Sequence, residues 1–485
     1  MAEQLLIIGG NAAGLAAALA ARRRRPELRI LVLEAGRDFS YGSCGLPCNL
    51  ADPARDPEDL LVRDPSQFHQ IGIELAAGHR VLAVDLERGR LEAERRLPGE
   101  PAARLEPAWD RLVVASGALP RDLRIPGLSP EEAPAFKTLE DLRRLKARLA
   151  GLSRVAVAGA GPLGLELCEA LRARGLEVLL VEPLSLPLAG FPRALRERVA
   201  RELEVQGVVA AWGSRVTGAA RRPGGWRLEL AADDGSTRVE EVDLLVQAAG
   251  QRAATDFLGG RLPLLERGVL PVDLHMRSSH PRVWAAGDCA ARPSCVPALP
   301  GEEERPWHPQ AREALRGGRV AGWNAAGGDA ERSLPPGPQT IALKCFSLEI
   351  ARCGRLSTEE SPASGAVPTP AARGLLGLAA APRRDGVATV IRATAETSTL
   401  GHALPGAGRL RVWLEAVAGG RLRGGALLSE GPGAALRVNA LAALLQKGGS
   451  AADLAGLDLA YSPPFGPLGD PLVLAAGRLE RVTEF

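Results

Sequence analysis

Cys44 lies in the run Ser43-Cys44-Gly45-Leu46-Pro47. Pro47 suits a first helical turn, so the spacing predicts a helix beginning at Gly45 with Cys44 at its N-terminus. A thiol placed there sits in a positive field and is expected to lose its proton more easily. The thiolate is the species that attacks a disulfide or a persulfide. A cysteine without such context is more often a small buried hydrophobe, so the surrounding motifs decide its reading. Cys48 follows four residues later, on the same face of that helix.

Two Gly-rich turns supply the context. Gly159-Ala160-Gly161-Pro162-Leu163-Gly164 follows an apolar strand, Val155–Ala158, and opens a helix. The first Gly permits the tight turn, the second lets backbone approach a pyrophosphate, and the third allows close helix–strand packing. The phosphates then rest on the helix N-terminus. Glu182 ends the next strand, where it can accept both ribose hydroxyls. Its charge repels a 2′-phosphate, so NADH is expected, with NADPH the possible substitute. The second turn, Gly9-Gly10-Asn11-Ala12-Ala13-Gly14, has Asn11 in place of the middle Gly, and Glu34 ends its next strand.

These groups need elements to hold them. An apolar strand, the Gly turn, an Ala-rich helix and a second strand occupy Leu5 to Leu33, and the pattern returns at Arg154–Val181. Two such units imply two nucleotide-binding domains of α/β type. Asp110–Gly117 and Asp243–Gly250 echo each other as acidic residue, strand and small-residue turn. Gly327–Pro338 reads as a linker. Beyond it, strand patterns at Ile341–Ile350, Leu410–Ala416 and Arg421–Leu428 and a helix at Ala434–Leu445 suit a third, α+β domain. Cys345 and Cys353 fall eight apart on one predicted strand, facing one side. Cys168 is expected buried in a helix, and His308 to pack before the helix near Gly317.

Val283-Trp284-Ala285-Ala286-Gly287-Asp288 resembles the strand-plus-GD motif of two-dinucleotide flavoproteins, in which the Asp binds the flavin ribityl chain. Glu34 to Pro47, with Ser40 and the SCGLP run, resembles the single-cysteine branch of the pyridine nucleotide–disulfide oxidoreductases. That branch holds CoA-disulfide reductases, NADH-dependent persulfide and polysulfide reductases, NADH oxidases and NADH peroxidases. Leu459–Gly466 with Asp470-Pro471 is similar to the family's dimerisation signature.

The resemblance implies an FAD-binding domain at residues 1–120 and 251–328, an NAD(P)-binding domain at 121–250, and a C-terminal α+β dimerisation domain at 335–485. It implies FAD and NADH as cofactors, held through Gly9, Gly10, Asn11, Ala12, Ala13, Gly14, Glu34, Ala35 and Ser43 at the first turn. Ala115, Ser116, Gly117, Gly250, Gly287 and Asp288 belong at the strand ends, and Gly159, Gly161, Pro162, Leu163, Gly164, Glu166 and Glu182 at the second turn. It further implies hydride transfer from NADH to FAD and then to sulfur at Cys44, in a homodimer whose partner contributes Tyr461.

The chain also departs from the pattern. Peroxidases and water-forming oxidases carry His in the first turn; Asn11 stands there, which disfavours peroxide or dioxygen as the main acceptor. CoA-disulfide reductases carry a tyrosine before a Pro-Gly; His402-Ala403-Leu404-Pro405-Gly406 has none, although Arg22 and Arg23 in a basic helix end suit CoA phosphates. Cys48 replaces a tyrosine and is a candidate resolving thiol. Pro162 takes the place where oxidases often have an aromatic lid. The expected function is reduction of a small disulfide, CoA disulfide, persulfide or polysulfide. An NADH oxidase using dioxygen, and a module passing electrons to a protein such as rubredoxin, are the alternatives.

Charge and composition exclude other classes. Sixty basic and 57 acidic residues nearly cancel, giving no basic footprint for nucleic acid. Seven scattered cysteines show no paired CxxC, so no metal site is expected and a reducing cytoplasm fits. The N-terminus enters a strand almost at once, leaving no room for a signal peptide, and no apolar run is long enough to span a membrane.

Overall fold

The structure is a computed structural model. It describes residues 3–483 apart from positions 97, 98, 100, 301, 304, 358–377, 381–389, 402 and 403. The last two fall within the His402–Gly406 stretch, so that comparison lies partly outside the described residues.

Strand β1 (Gln4–Ile8), helix α1 (Ala12–Arg24) and strand β2 (Arg29–Leu33) form the first strand–turn–helix–strand unit. The chain then reaches helix α2 (Leu46–Ala51), which begins within the Ser43–Pro47 run. β1 and β2 pair in parallel, Gln4 with Arg29 through Ile8 with Leu33. They belong to a five-stranded parallel sheet in the order Val283–Ala285, Arg111–Val114, β1, β2, Ile73–Ala76. Helices cover parallel strands on both faces, which is why β1 is an apolar run rather than an alternation. Leu5, Leu6 and Ile7 have no exposed surface, and each such burial contributes about 1.5–3 kcal/mol.

The second unit repeats this plan. Strand β3 (Arg154–Ala158), helix α3 (Pro162–Ala173) and strand β4 (Glu177–Glu182) build a four-stranded parallel sheet ordered Val208–Trp212, β4, β3, Leu244–Gln247. Two short strands, Ala118–Pro120 and Gln251–Ala253, pair antiparallel where the chain enters and leaves this unit. They directly follow Gly117 and Gly250, the ends of the two echoing segments.

Helix α4 (Ala311–Ala325) lies against α1 at backbone distance. A Cβ on Gly318 would stand 2.2 Å from the Ala13 carbonyl oxygen, and one on Gly322 would stand 2.0 Å from that of Ala17. Only glycine at these two positions of α4 permits this approach. From position 327 to 338 the chain has no helix or strand, apart from an isolated bridge of Gly337 to Ser294.

Beyond it a six-stranded antiparallel sheet forms, in the order β5 (Ile341–Cys345), β6 (Leu348–Gly354), Leu422–Glu430, Arg409–Val417, Val390–Ser398, Leu378–Ala380. The helices Ala434–Gln446 and Pro471–Thr483 accompany it. One sequence reading is corrected here. Cys345 and Cys353 do not share a strand; they sit on the two arms of a hairpin, and their side chains join different cores. The chain turns at Phe346-Ser347, with Phe346 in the left-handed region at φ 52°. That turn carries none of the Gly, Pro or Asn residues that mark a reversal in sequence.

Candidate active site

The two Gly-rich turns have the same geometry. Gly9 and Gly159 sit at φ 109° and 111°, a region glycine favours. A Cβ on Gly14 would lie 1.8 Å from the Gly9 oxygen, and one on Gly164 would lie 1.9 Å from the Gly159 oxygen. Each third glycine therefore lets its helix start against its own strand. Gly10 is filled from behind by the Phe39 ring, 2.4 Å from a Cβ built there, whereas a Cβ on Gly161 would meet nothing within 4 Å. Asn11 caps α1 through its backbone and leaves its side chain uncommitted to the cap, with Ala12 and Ala13 opening the helix. Pro162 and Leu163 open α3 in the same way.

The acidic strand ends also match. Glu34 accepts from Gly10 N–H at 2.6 Å and from Gly36 N–H at 2.8 Å, and exposed Ala35 lies between those contacts. Glu182 accepts from Ala160 N–H at 2.7 Å and from Leu184 N–H at 3.0 Å. Each carboxylate stands beside its turn, where a ribose would meet it.

At the strand ends, Ala115, Ser116 and Gly117 follow Arg111–Val114. The Ser116 hydroxyl is buried beside the buried Cys289 thiol. Gly117 and Gly250, at φ 71° and 92°, have open space where a side chain would project. A Cβ on Gly287 would stand 2.9 Å from the Ala13 side chain of α1, so the GD motif lies close to the first turn. Asp288 Oδ2 accepts from Lys137 Nζ at 3.0 Å, and Lys137 also donates to Gln251 Oε1 at 2.6 Å. Trp307 Nε1 donates to the Asp288 carbonyl at 2.8 Å. Lys137, Gln251 and Trp307 were not among the sequence candidates. No local motif marks them, because each meets Asp288 or its neighbour only through the fold.

Cys44 sits in a 3₁₀ turn, Ser43–Gly45, and α2 begins after it at Leu46 with Gly45 as N-cap. A six-residue helix is too short to stand alone. It is held by burial of Leu46, Pro47, Asn49 and Leu50. Lys146 Nζ also donates to Asn49 Oδ1 at 3.1 Å and to the Asp52 carbonyl at 2.9 Å, at the negative end of the helix. Arg174, just past α3, donates to the Leu50 carbonyl at 3.2 Å. The thiol run of the first unit is thus seated on the helix of the second. Cys44 and Cys48 are both exposed.

The electrostatics of Cys44 differ from the sequence expectation. Desolvation pushes its thiol up, and the carboxylates of Glu166 and Asp288 push it further; Lys137 and Ser43 act the other way. The short helix does not reverse this, since Cys44 precedes its cap and carboxylates arrive from both units. Glu166, on α3, is itself raised to about 7, first by burial and then by Glu169.

Arg22 donates to the carbonyls of Pro26 and Gly72, and so ties the end of α1 to the neighbouring loop. Arg23 is exposed and lines an open depression with Arg22, Leu19, Arg63, Gln67 and Ile71. Tyr461 is exposed in the irregular stretch before the last helix. Cys168 is fully buried in α3, and burial pushes its thiol up. No group of described His, Cys, Asp or Glu residues could hold a metal ion.

His308 precedes α4, with Nε2 3.3 Å from the Thr340 carbonyl. Burial lowers its pKa from 6.5 to about 4. In the unfolded chain it binds a proton near 6.5, so as pH falls the unfolded state is protonated first. Its contribution is therefore present above about pH 6.5 and is lost as pH falls toward 4, by roughly 3 kcal/mol. His308→Gln should make the thermal midpoint less sensitive to pH over that window than in the wild type; an identical pH dependence would contradict the assignment.

The cradles suit two dinucleotides on the chain's own geometry. Each offers a Gly turn against a helix N-terminus and a carboxylate for a ribose, and the first adds Asp288. The comparisons agree. The pyridine nucleotide-disulphide oxidoreductase family model matches residues 3–318. The chain is 26% identical to a protein named NADH oxidase from Methanocaldococcus jannaschii, covering 97% of each. It is 28% identical to the NAD(P)H sulfur oxidoreductase (CoA-dependent) of Pyrococcus abyssi, covering 98% of this chain and 97% of that one. Among solved structures, the NAD-dependent persulfide reductase from A. fulgidus aligns with a TM-score of 0.85 at 26% identity, over 99% of this chain and 84% of that one. The chain belongs to the pyridine nucleotide-disulphide oxidoreductases, as an enzyme that uses FAD and NAD(P)H.

Proposed function

We propose that the enzyme uses NADH to reduce a small disulfide, persulfide or polysulfide, with Cys44 as the thiol that takes the substrate sulfur. The observation that carries this is an exposed thiol seated between the two nucleotide units, with Asp288 acting on it from one and Glu166 and Lys137 from the other. FAD, when bound, would relay two electrons between the nicotinamide and this sulfur. Gly9, Gly14, Glu34, Ser116 and Asp288 would hold it, and Gly159, Gly161, Gly164 and Glu182 would hold the nicotinamide cofactor.

Cys44 must lose its proton to attack. Glu166 titrates at about 7, so near neutral pH it is populated in both forms and suits proton exchange at the site. Its protonated form removes the charge that disfavours the thiolate, and the same proton can serve the leaving thiol. Lys137 supplies a nearby positive charge that favours the thiolate.

Glu182 supports NADH over NADPH, because its carboxylate stands where a 2′-phosphate would come. Glu182→Gln is expected to lower the ratio of kcat/KM for NADH to that for NADPH by about tenfold, which corresponds to ~1.4 kcal/mol. An unchanged ratio would remove the assignment.

The depression beside Arg23 and Arg63 has the basic lining that CoA phosphates require, and the name of the Pyrococcus relative points the same way. Exposed Tyr461, Phe465 and Leu468, with Leu436 nearby in the C-terminal unit, support a homodimer that covers this face. No described helix is long and apolar enough to cross a membrane, and free thiols suit a cytoplasmic setting.

Dioxygen is the second reading, favoured by the name of the M. jannaschii relative. Anaerobic NADH oxidation against CoA disulfide, CoA persulfide, polysulfide, glutathione disulfide and peroxide, with dioxygen tested apart, separates the two. Turnover with a sulfur compound supports the proposal. Turnover with dioxygen alone would support the oxidase.

A further inference from the structure

Cys48 stands one helical turn beyond Cys44. These two are the only exposed cysteines of the seven; Cys168, Cys289, Cys345 and Cys353 are buried and Cys295 is intermediate. The backbone joining the pair is helical throughout. Ser43–Gly45 is a 3₁₀ turn, Gly45 has φ −84° and ψ −7°, Leu46 has φ −55° and ψ −49°, and α2 continues from there. Residues four apart on such a path share a face, with Cβ atoms about 5–6 Å from each other. The opposite face is committed to the core through Leu46, Pro47, Asn49 and Leu50. The outward face of this short element therefore presents two neighbouring thiols.

We propose that Cys48 is the resolving thiol for Cys44, so that the site cycles through an intramolecular Cys44–Cys48 disulfide. This rests on Cys44 being the sulfur-accepting thiol. In the first step the Cys44 thiolate attacks a substrate disulfide RSSR, forming Cys44–S–S–R and releasing RS⁻, which takes up a proton. In the second step the Cys48 thiolate attacks the Cys44 sulfur, the bond to R breaks, and the second RS⁻ leaves as thiol. The substrate has gained two electrons and the two cysteines have lost two. NADH returns those two electrons by way of the enzyme's FAD and restores both thiols.

The local structure allows the closure. A disulfide needs Cβ atoms about 3.5–4.5 Å apart, so the pair must approach by roughly 1–2 Å. The helix carrying Cys48 is pinned at its end by Lys146. The segment carrying Cys44 is a single 3₁₀ turn bounded by Gly42 and Gly45 and closed by Gly45 N–H to the Gly42 carbonyl at 2.9 Å. Such turns have poorer hydrogen-bond geometry than an α-helix, so Cys44 is the partner that moves. Both halves of the substrate then depart before the reductant acts, and the site need not hold a bulky mixed disulfide.

The test uses NADH-free holoenzyme and one equivalent of the chromogenic disulfide dithionitrobenzoate under anaerobic conditions. N-ethylmaleimide is then added, and the tryptic peptide from Asp38 to Arg55 is mapped by mass. Wild-type protein is expected to release both halves of the reagent and to yield a peptide lacking two hydrogens, with no adduct and no maleimide. Cys48→Ser is expected to release one half and to keep the other on Cys44. Wild-type protein that keeps the adduct on Cys44 and carries maleimide on Cys48 would overturn the resolving role while leaving Cys44 as the reactive thiol. A Cys44 that takes no reagent in either protein would overturn the reading of Cys44, and the dithiol with it.

Discussion

Cys44→Ser is expected to abolish reduction of every disulfide, persulfide and polysulfide that the wild type accepts, by about 10³-fold or more in kcat. Direct reduction of the flavin by NADH should continue at the wild-type rate. The hydroxyl of serine keeps the size and polarity of the side chain, and α2 is anchored by Leu46, Leu50 and Lys146 rather than by the thiol. The variant therefore folds and loads its cofactors, and what it lacks is the thiol that takes the substrate sulfur. Serine cannot replace it, because burial and the carboxylates of Glu166 and Asp288, which already raise the proton affinity of the thiol, would oppose an alkoxide more strongly. Stopped-flow reduction of the flavin, compared with steady-state turnover of the sulfur substrate, separates the two half-reactions. Intact sulfur turnover in this variant would remove Cys44 from the mechanism.

Gly164→Ala carries the second large effect. The added methyl would lie 1.9 Å from the Gly159 carbonyl oxygen and 3.7 Å from the Ala248 side chain. The first contact is with backbone, so α3 must move away from β3. Overpacking of this kind costs about 1–3 kcal/mol. The helix N-terminus is also the surface offered to the pyrophosphate, so its displacement should raise the Kd for NADH by about 10- to 100-fold. The first turn is untouched, and flavin content per chain should remain that of the wild type. The two measurements together matter. Loss of both cofactors would indicate general unfolding, and an unchanged Kd would mean that the second turn does not hold the nicotinamide nucleotide.

Local motifs were the legible part of this site. Both Gly turns could be read because strand, turn and helix are consecutive in the chain, and the steric need for glycine is met within six residues. Glu34 and Glu182 were legible for the same reason, as the ends of the next strands. What the sequence concealed arises from long-range contacts. Lys137 meets Asp288 and Gln251 only because the crossover strands Ala118–Pro120 and Gln251–Ala253 pair beside the first sheet. The proton affinity of Cys44 was misjudged because a helix terminus is visible in sequence, whereas the burial that desolvates the thiol, and Glu166 and Asp288 that reach it from two other segments, are set by the fold. The hairpin separating Cys345 from Cys353 escaped because Phe346 adopts a left-handed conformation without a turn residue to announce it. Arg22 was placed by sequence at a basic helix end; the fold adds that its guanidinium donates to the carbonyls of Pro26 and Gly72 and that Arg63, from a distant segment, joins Arg22 and Arg23 around the depression.

Electron uptake tests the central claim most directly. Wild-type holoenzyme and Cys44→Ser are each treated with a small disulfide, cleared of excess reagent and titrated anaerobically with NADH until the flavin is fully reduced. The wild type is expected to consume one more equivalent of NADH than the variant, because the oxidised sulfur at Cys44 takes two electrons in addition to those held by FAD. Equal consumption by the two proteins would mean that Cys44 exchanges no electrons with the flavin, and would contradict its place between NADH and the sulfur substrate.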